Sequence, residues 1–570
     1  MNLVPLAPEK RILCHCASAP AFAGLLASIA GTAGARTGDD VFVFDGITAR
    51  FLARATPDAL LADLREQYVN LILLDLRASG GASLAAQAAS AFQVLDALDR
   101  TEDVEGRFAF DRILALLPAA MSPEVDDLVL HLGARGVRHV LRPPPSGPDD
   151  GPEVARALLA EVARILRARQ KGSRALCASG GGITGIYFEL GALKCLDDCL
   201  GAGGVNAFDM YFGISAGAVV SSPIAVGYSV DEYLAAIAGH PGGRIAPFDL
   251  CLFRLGHVDA QSFVRRVALA ARTSAAAVWS ALTGRRAKAD DELVFDYADL
   301  VAAPFRADRF ERLLRDVLTA PGATNDFRRL PRPVFIGATD QDARAHVLFG
   351  DEEHRDVPVS KAIQASLSIN PAFGATLIDG RYYEDGAVTR TSNFVEAIRR
   401  GATLILVVDP FVPYVAREPG FANRRGMLYN IDQDVRTISY TRYETTRNWV
   451  LRQHPEVSSY TFVPANRLRR LMSINPMDHR PYLEIWRGAY LSTWNRLRAL
   501  EHRLAGDMAA HGMPFDLARA NAVAAQLDRV SRPELADFFP DRNIILKRAP
   551  LCLEPAPASA AVAAAHSPAA

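Results

Sequence analysis

The chain has 570 residues, half of them hydrophobic, which is too long for one core and implies roughly two to four domains. Lys plus Arg number 63 against 64 Asp plus Glu, and a formal net charge of −1 excludes a long-range pull towards nucleic acid or anionic membrane. The seven cysteines are scattered, with close pairs at Cys14/Cys16 and Cys195/Cys199 but no second pair at zinc spacing, as expected of reduced, buried thiols.

The start, MNLVPLAPEKRILCHCASAP, lacks a basic-then-apolar signal layout, and no uncharged run is long enough to span a membrane. A cytoplasmic protein is expected, with membrane contact at most peripheral. Residues 1–145 read as an alternating β/α domain. Strands are expected over Arg11–Cys16, Val41–Phe44, Leu71–Leu76, Arg112–Leu117 and Val137–Leu141, with a helix over Pro57–Gln67. Such alternation predicts a parallel sheet with helices on both faces. Through Leu73-Leu74-Asp75-Leu76, Leu132-Gly133-Ala134-Arg135-Gly136-Val137 and Leu141-Arg142-Pro143, this part resembles the receiver domain of response regulators. That resemblance implies acids after the first strand, a hydroxyl after the fourth and a lysine before the final proline. Cys14-His15-Cys16, Leu116-Leu117-Pro118 and Arg142 stand there instead. A flavodoxin-like domain without phosphotransfer, working by contact with a protein partner or with the rest of the chain, is therefore expected.

Arg142–Gly151 (RPPPSGPDDG) is a linker by composition. A helix from Glu153 to about Arg169, with Val154, Leu158, Val162 and Ile165 on one side, is expected to pack between domains. Together, 146–172 form a linker and connecting helix.

The stretch Cys177–Ser222 reads strand, glycine loop, helix, strand, sharp turn, helix. The first run ends at Gly180-Gly181-Gly182, followed by Ile183, Thr184 and Gly185. The second ends in Gly213-Ile214-Ser215-Ala216-Gly217, the GxSxG pattern of a nucleophile elbow between a strand and a helix. Glycines at a helix start expose backbone N–H groups where the dipole favours an anion, as the oxyanion of acyl transfer requires. A nucleotide-phosphate loop is the competing reading, but SGGGITG has no P-loop lysine and does not fit GxGxxG. Far downstream comes Tyr382-Tyr383-Glu384-Asp385-Gly386-Ala387.

These three pieces, in this order, resemble the patatin-like phospholipases, which combine a GGGxxG loop, a GxSxG elbow and a DG(G/A) motif. Ala362-Ile363-Gln364-Ala365-Ser366, Pro371-Ala372-Phe373 and Asn393 resemble further parts of that family's pattern, over about Ser173–Pro413. Thr184 departs from it, since many members carry Arg or Lys there. The resemblance implies a three-layer α/β hydrolase core over 173–413. It also implies a Ser215–Asp385 dyad, with oxyanion donors in the Gly180–Gly185 loop (around Gly181, Gly182 and Ile183), elbow glycines Gly213 and Gly217, and Gly386-Ala387 after the acid. Neither a metal nor an organic cofactor is required. The expected activity is hydrolysis of lipid esters, with phospholipid, lysophospholipid, neutral glyceride and soluble ester all admitted.

Two alternatives stay open. A Ser-His-Asp arrangement could use Asp340 or Asp385 with His454 or His479. A scaffold that kept the fold without turnover is the other, although intact Ser215, Asp385 and glycine loop argue against it. Asp409 at a strand end reads as a structural cap. A helix over Val258–Ala287, carrying Phe263 and Trp279, is the candidate lipid contact, though tryptophan on such a helix is more often core. Residues 414–545 read as a mostly helical extension with Trp449, Trp486 and Trp494 as packing anchors, and with no catalytic pattern. The run Arg467-Leu468-Arg469-Arg470 reads as a solvated helix face, and 546–570 as a disordered tail.

Overall fold

The computed structural model describes residues 9–553 apart from 17, 33–34, 37, 39, 78–82, 100–107, 109, 144–150, 169–171, 202, 251–263, 265–267, 269–270, 273–274, 276–278, 280–282, 284–306, 371 and 455. Phe263, most of the expected 258–287 helix, most of the 142–151 linker and residues 554–570 of the expected 546–570 tail lie outside the described residues. Residues 546–553 correct the disordered reading of that tail, since Lys547 pairs with Asp197 at 2.7 Å and Leu551 is buried. The described residues form two compact units, one comprising Met1–Gly172, Asn448–Ser458 and Leu500–Gly512, the other Ser173–Arg447, Ser459–Ala499 and Met513–Ala570.

In the first unit the order is β1 (Lys10–His15), α1 (Ala19–Ala30), β2 (Ala35–Arg36), β3 (Val41–Phe44), β4 (Ile47–Ala53), α2 (Pro57–Glu66), β5 (Leu71–Asp75), α3 (Leu84–Asp99), β6 (Ile113–Leu116), α4 (Pro123–Ala134), β7 (His139–Leu141) and α5 (Pro152–Ala168). The sheet runs β2-β3-β4-β1-β5-β6-β7, with β4, β1, β5, β6 and β7 parallel and β2-β3-β4 an antiparallel edge. Without the β2-β3 hairpin this is the 2-1-3-4-5 order of flavodoxin-like folds. Side-chain alternation along the strands explains why both faces are covered. Leu71 and Leu73 of β5 join one core cluster with Leu25, Ile29, Leu158 and Val162, while Ile72 and Leu74 join another with Leu60, Val94, Val125 and Leu128. The stripe of Val154, Leu158, Val162 and Ile165 on α5 closes a face of this sheet.

At the end of β1 the chemistry differs from a phosphoacceptor site. Asp75 is buried and bound by Arg77, through Nε at 2.8 Å and Nη2 at 2.6 Å. Burial pushes the Cys16 thiol up to about 12, and His15 is held between the Arg54 carbonyl and the Ser90 hydroxyl, each at 2.9 Å.

In the second unit and the shared helices the order is β8 (Ser173–Ala178), α6 (Gly182–Cys199), β9 (Met210–Ile214), α7 (Ala216–Val226), α8 (Val230–Ile237), α9 (Asp308–Leu318), β10 (Val334–Asp340), β11 (Ala345–Phe349), α10 (Val359–Ser366), β12 (Thr376–Ile378), β13 (Arg381–Asp385), α11 (Phe394–Arg399), β14 (Ala402–Val408), α12 (Met427–Gln453), β15 (Ser458–Phe462), α13 (Asn466–Met472), α14 (Tyr482–Ala510) and α15 (Ala518–Arg529). The eight-stranded sheet runs β12-β13-β10-β9-β8-β14-β15, with β11 on β10. Its parallel centre, β10-β9-β8-β14, is buried, and the flanking β11, β13 and β12 are antiparallel. Local signals set the helix starts. Ser229 and Glu232 form a reciprocal capping box on α8, for example. The C-terminal region is mostly helical, as expected. Of its three tryptophans, Trp486 is fully buried and Trp494 donates to Asn521 Oδ1 at 2.8 Å, but Trp449 is 62% exposed, which corrects its reading as a packing anchor. Arg469 corrects the solvated-face reading of its run. It is buried, its Nε donates to the Val412 carbonyl at 2.6 Å, and burial beside Arg436 lowers its pKa to about 9.

Candidate active site

Strand register brings the three sequence motifs together. Ala178 of β8 pairs with Gly213 of β9, Gly213 pairs with Ile336 of β10, and Ala338 of β10 pairs with Asp385 of β13. The glycine loop, the elbow and the acid therefore leave neighbouring strands at the same edge, the usual place for a ligand crevice in a parallel sheet.

Ser215 occupies a strained turn, φ 53° and ψ −118°, and is the N-cap of α7. The turn closes because its glycines leave no room for a side chain: a Cβ on Gly213 would lie 2.4 Å from Ala218 Cα, and one on Gly217 2.2 Å from the Ala178 carbonyl oxygen. A further clamp comes from Ser366, whose hydroxyl accepts from the Ser215 amide at 2.7 Å and donates to the Gly337 carbonyl at 2.6 Å. Sequence reading placed Ser366 in a family-like helix without giving it this task. Ser366→Ala would leave a buried N–H and a buried carbonyl unpaired, costing about 1–3 kcal/mol. We expect kcat to fall with KM little changed, read by ester kinetics alongside thermal unfolding; an unchanged kcat would remove the clamp from the account.

Asp385 is buried. Its Oδ1 accepts from the Ala387 amide at 2.8 Å, its backbone N–H donates to the Ser368 carbonyl at 3.1 Å, and Thr339 Oγ1 donates to its carbonyl at 3.0 Å. Burial pushes its pKa up to about 7, against the lowering effect of hydrogen bonds from the Ser215 hydroxyl and the Ala387 amide. A carboxylate ordinarily too weak a base for a serine thus reaches the range of histidine.

Gly180 faces the nucleophile, since a Cβ there would lie 3.4 Å from Ser215 Cβ. Helix α6 begins at Gly182, so the amides of Gly182 and Ile183 precede its first internal bond, which runs from the Gly185 amide to the Gly181 carbonyl at 3.2 Å. Gly185 was expected among the oxyanion residues, but its amide is spent on that bond. Gly185 is instead approached closely by Gly181, where a Cβ would lie 2.8 Å from Gly185 Cα. Thr184 is buried and its amide donates to the Pro476 carbonyl at 3.0 Å, so an arginine or lysine at this place would have to be accommodated in the interior.

A cavity of about 200 Å³ opens over these groups, lined by Ser215, Asp385 and Gly180–Ile183 and otherwise mainly by apolar side chains such as Phe310, Ile369, Phe373 and Phe411. One wall comes from Ile431, Asp432, Val435 and Arg436 of α12 and from Pro476-Met477. The sequence offered no motif for that wall. Asp432 and Arg436 form its charged end, 2.9 Å apart. Asp409 does cap its strand, accepting from the Phe411 amide at 2.8 Å, and burial raises its pKa to about 7.

Among the described residues no histidine lines this cavity. His454 belongs to the first unit, with Nδ1 2.9 Å from Glu456, and His479 gives its backbone carbonyl to the Tyr187 hydroxyl at 3.0 Å. Asp340 is held by Arg381 at 3.0 Å and by the amides of Asp342 and Ala343. No metal-holding cluster of acids, histidines and cysteines occurs among the described residues.

Residues 176–398 match the family model described as Patatin-like phospholipase. The chain carries a patatin-like phospholipase domain. A curated relative from Escherichia coli named "cUMP-AMP-activated phospholipase" is 42% identical over 67 residues, which are 12% of this chain and 21% of that protein. The match thus spans about a fifth of the relative's length. Among solved structures, VipD from Legionella pneumophila is similar at 12% identity and a TM-score of 0.24, covering 62% of this chain and 75% of that one. The type III effector ExoU is similar at 13% identity and a TM-score of 0.20, covering 63% and 66%. The patatin-like domain begins within β8 and ends in α11, so it contains all three motifs but not the wall supplied by α12 and Pro476-Met477.

Proposed function

We propose that the protein is a serine lipid acyl hydrolase of the phospholipase A or lysophospholipase type, working through a Ser215–Asp385 dyad. The observation that carries this reading is the placement of Ser215 on its strained turn against a buried Asp385, at the base of a mainly apolar cleft. Ser215 Oγ attacks the ester carbonyl carbon and its proton passes to the Asp385 carboxylate. The oxyanion is held by amides around Gly181, Gly182 and Ile183. Asp385 returns the proton to the departing alcohol, leaving an acyl-Ser215. Water then attacks that ester, gives a proton to Asp385, and the released fatty acid leaves Ser215 protonated again. The apolar lining takes the acyl chain and keeps bulk water from the carboxylate, which is what keeps its pKa high.

Among the described residues no helix is long and apolar enough to cross a membrane. In this account the protein is made in the cytoplasm and meets lipid peripherally, and its N-terminal domain acts by contact with a protein partner or with the rest of the chain. The reaction is tested by offering purified protein a panel of phospholipid, lysophospholipid, glyceride and short-chain ester, with Ser215→Ala as control, and reading released fatty acid by mass spectrometry. Release from no member of the panel would overturn the reading.

The dyad also fixes the pH dependence. Activity should rise through about pH 7 as Asp385 ionises. Stability should move the other way. The folded state holds a proton on Asp385 up to about 7, whereas an ordinary aspartate releases it near 3.8, so stability is lost as pH rises through that window. Asp409, also raised to about 7, adds the same sign. Urea unfolding at several pH values should show this fall, made shallower by Asp385→Asn. A stability that climbs from pH 4 to 7 in step with Asp385 would contradict the assignment.

A further inference from the structure

A helix side turned to solvent ordinarily carries polar and charged residues. Beside the catalytic cleft, α12 reverses this. Met427, Ile431, Val435 and Ile438, which follow one another at helical spacing, are 73%, 42%, 39% and 65% exposed. Three polar residues of the same helix point inward instead, while Asp434 and Thr437 stay exposed. Gln433 accepts from the Tyr414 amide at 2.7 Å, Arg436 binds Asp432, and the Ser439 carbonyl accepts from Thr391 Oγ1 at 2.8 Å, with all three of these α12 side chains buried. Two exposed residues from other segments extend the apolar surface. Val388 follows the Asp385 motif, and its carbonyl is bound by Arg442 of α12 at 3.1 Å. Ile474 precedes Pro476 and Met477 of the cleft wall.

Ile431 and Val435 belong to both surfaces: they are exposed outside, and they line the cavity that holds Ser215. The apolar surface is therefore continuous from solvent to nucleophile. A second copy of the chain, or a protein partner, seated on this stripe would cover the mouth of the cleft. A lipid surface is the occupant that can cover the stripe and feed the cleft at once.

We propose that the α12 stripe, with Val388 and Ile474, is the face on which the protein docks to a lipid surface, resting on the acyl hydrolase reading above. Contact draws on buried apolar area, since Asp434 stands exposed beside the stripe and the net charge of the chain is −1. Binding should therefore change little with salt. This puts a lipid contact on α12; Trp279, on the candidate segment named from the sequence, is 69% exposed.

The test uses full-length protein and phosphatidylcholine vesicles. Ser215→Ala protein should float with the vesicles at low and high salt, and adding Met427→Asp and Ile438→Asp, neither of which lines the cleft, should lower that fraction at least tenfold. Ile474→Asp, on a separate segment, should act in the same direction. With Ser215 intact, the same two substitutions should leave short-chain ester turnover unchanged and cut hydrolysis of vesicle lipid at least tenfold. Unchanged flotation would overturn the proposal. So would a parent that is dimeric in gel filtration, with variants that are monomeric but float equally, since the stripe would then be a self-interface. Flotation that responds while no ester is ever hydrolysed would uphold the docking face and remove the acyl hydrolase reading.

Discussion

Ser215→Ala and Asp385→Asn should each lower kcat for ester hydrolysis on the order of ten-thousandfold or more, with the fold intact. The two groups act as one unit, so removing either half loses nearly the whole effect. Asn at 385 can still accept from the Ala387 amide, whose bond to Oδ1 is 2.8 Å, so geometry survives while the base is gone. His454→Ala and His479→Ala should keep most activity, because neither residue lines the cavity. Kinetics on a soluble ester, with circular dichroism as the folding control, checks all four. A folded histidine variant that loses turnover while Asp385→Asn stays active would favour a Ser-His-Asp arrangement.

Gly181→Val or Gly182→Val should cost on the order of a hundredfold or more in kcat, the size typical of losing one oxyanion donor. The donors are backbone amides, so only a change of backbone path or bulk can remove them. A Cβ on Gly181 would stand 2.8 Å from both Gly185 Cα and Pro410 Cγ. Gly182 has φ +69°, a conformation costly for valine, and a Cβ there would stand 2.9 Å from the Pro476 carbonyl oxygen. That carbonyl also receives the Thr184 amide, so the segment cannot retreat without loosening the first turn of α6. Thr184→Arg should share part of this loss, since residue 184 is buried. A fully active, folded Gly182→Val enzyme would take the loop out of the mechanism.

What could be read from the sequence was the part written in local backbone chemistry. A glycine run after a strand, a GxSxG turn and an Asp-Gly pair each announce their own conformation, and strand register then assembles them. The same kind of signal could have found one missed element. Phe44-Asp45-Gly46-Ile47 is an Asp-Gly hairpin turn, with φ 50° and 74° at its centre, joining β3 to the unanticipated β4. Other features had no local signature. Ser366 clamps the elbow from 151 residues away through a hydroxyl that any helix might carry. Ile431, Val435 and Met477 reach the cleft through tertiary packing alone. The reversed face of α12 defeats pattern reading, because its apolar spacing predicts a buried side where the structure exposes one. Strand β15, Ser-Ser-Tyr-Thr-Phe, is short and polar, and its place beside β14 comes from the sheet it extends.

The most direct measurement of the central claim is where a serine-reactive fluorophosphonate attaches. Peptide mapping by mass spectrometry should find one adduct, on Ser215. It should be absent in Ser215→Ala, and it should form far more slowly in Asp385→Asn because the hydroxyl has lost its base. An adduct on another residue that persists in Ser215→Ala, or labelling at full rate in Asp385→Asn, would contradict the Ser215–Asp385 dyad.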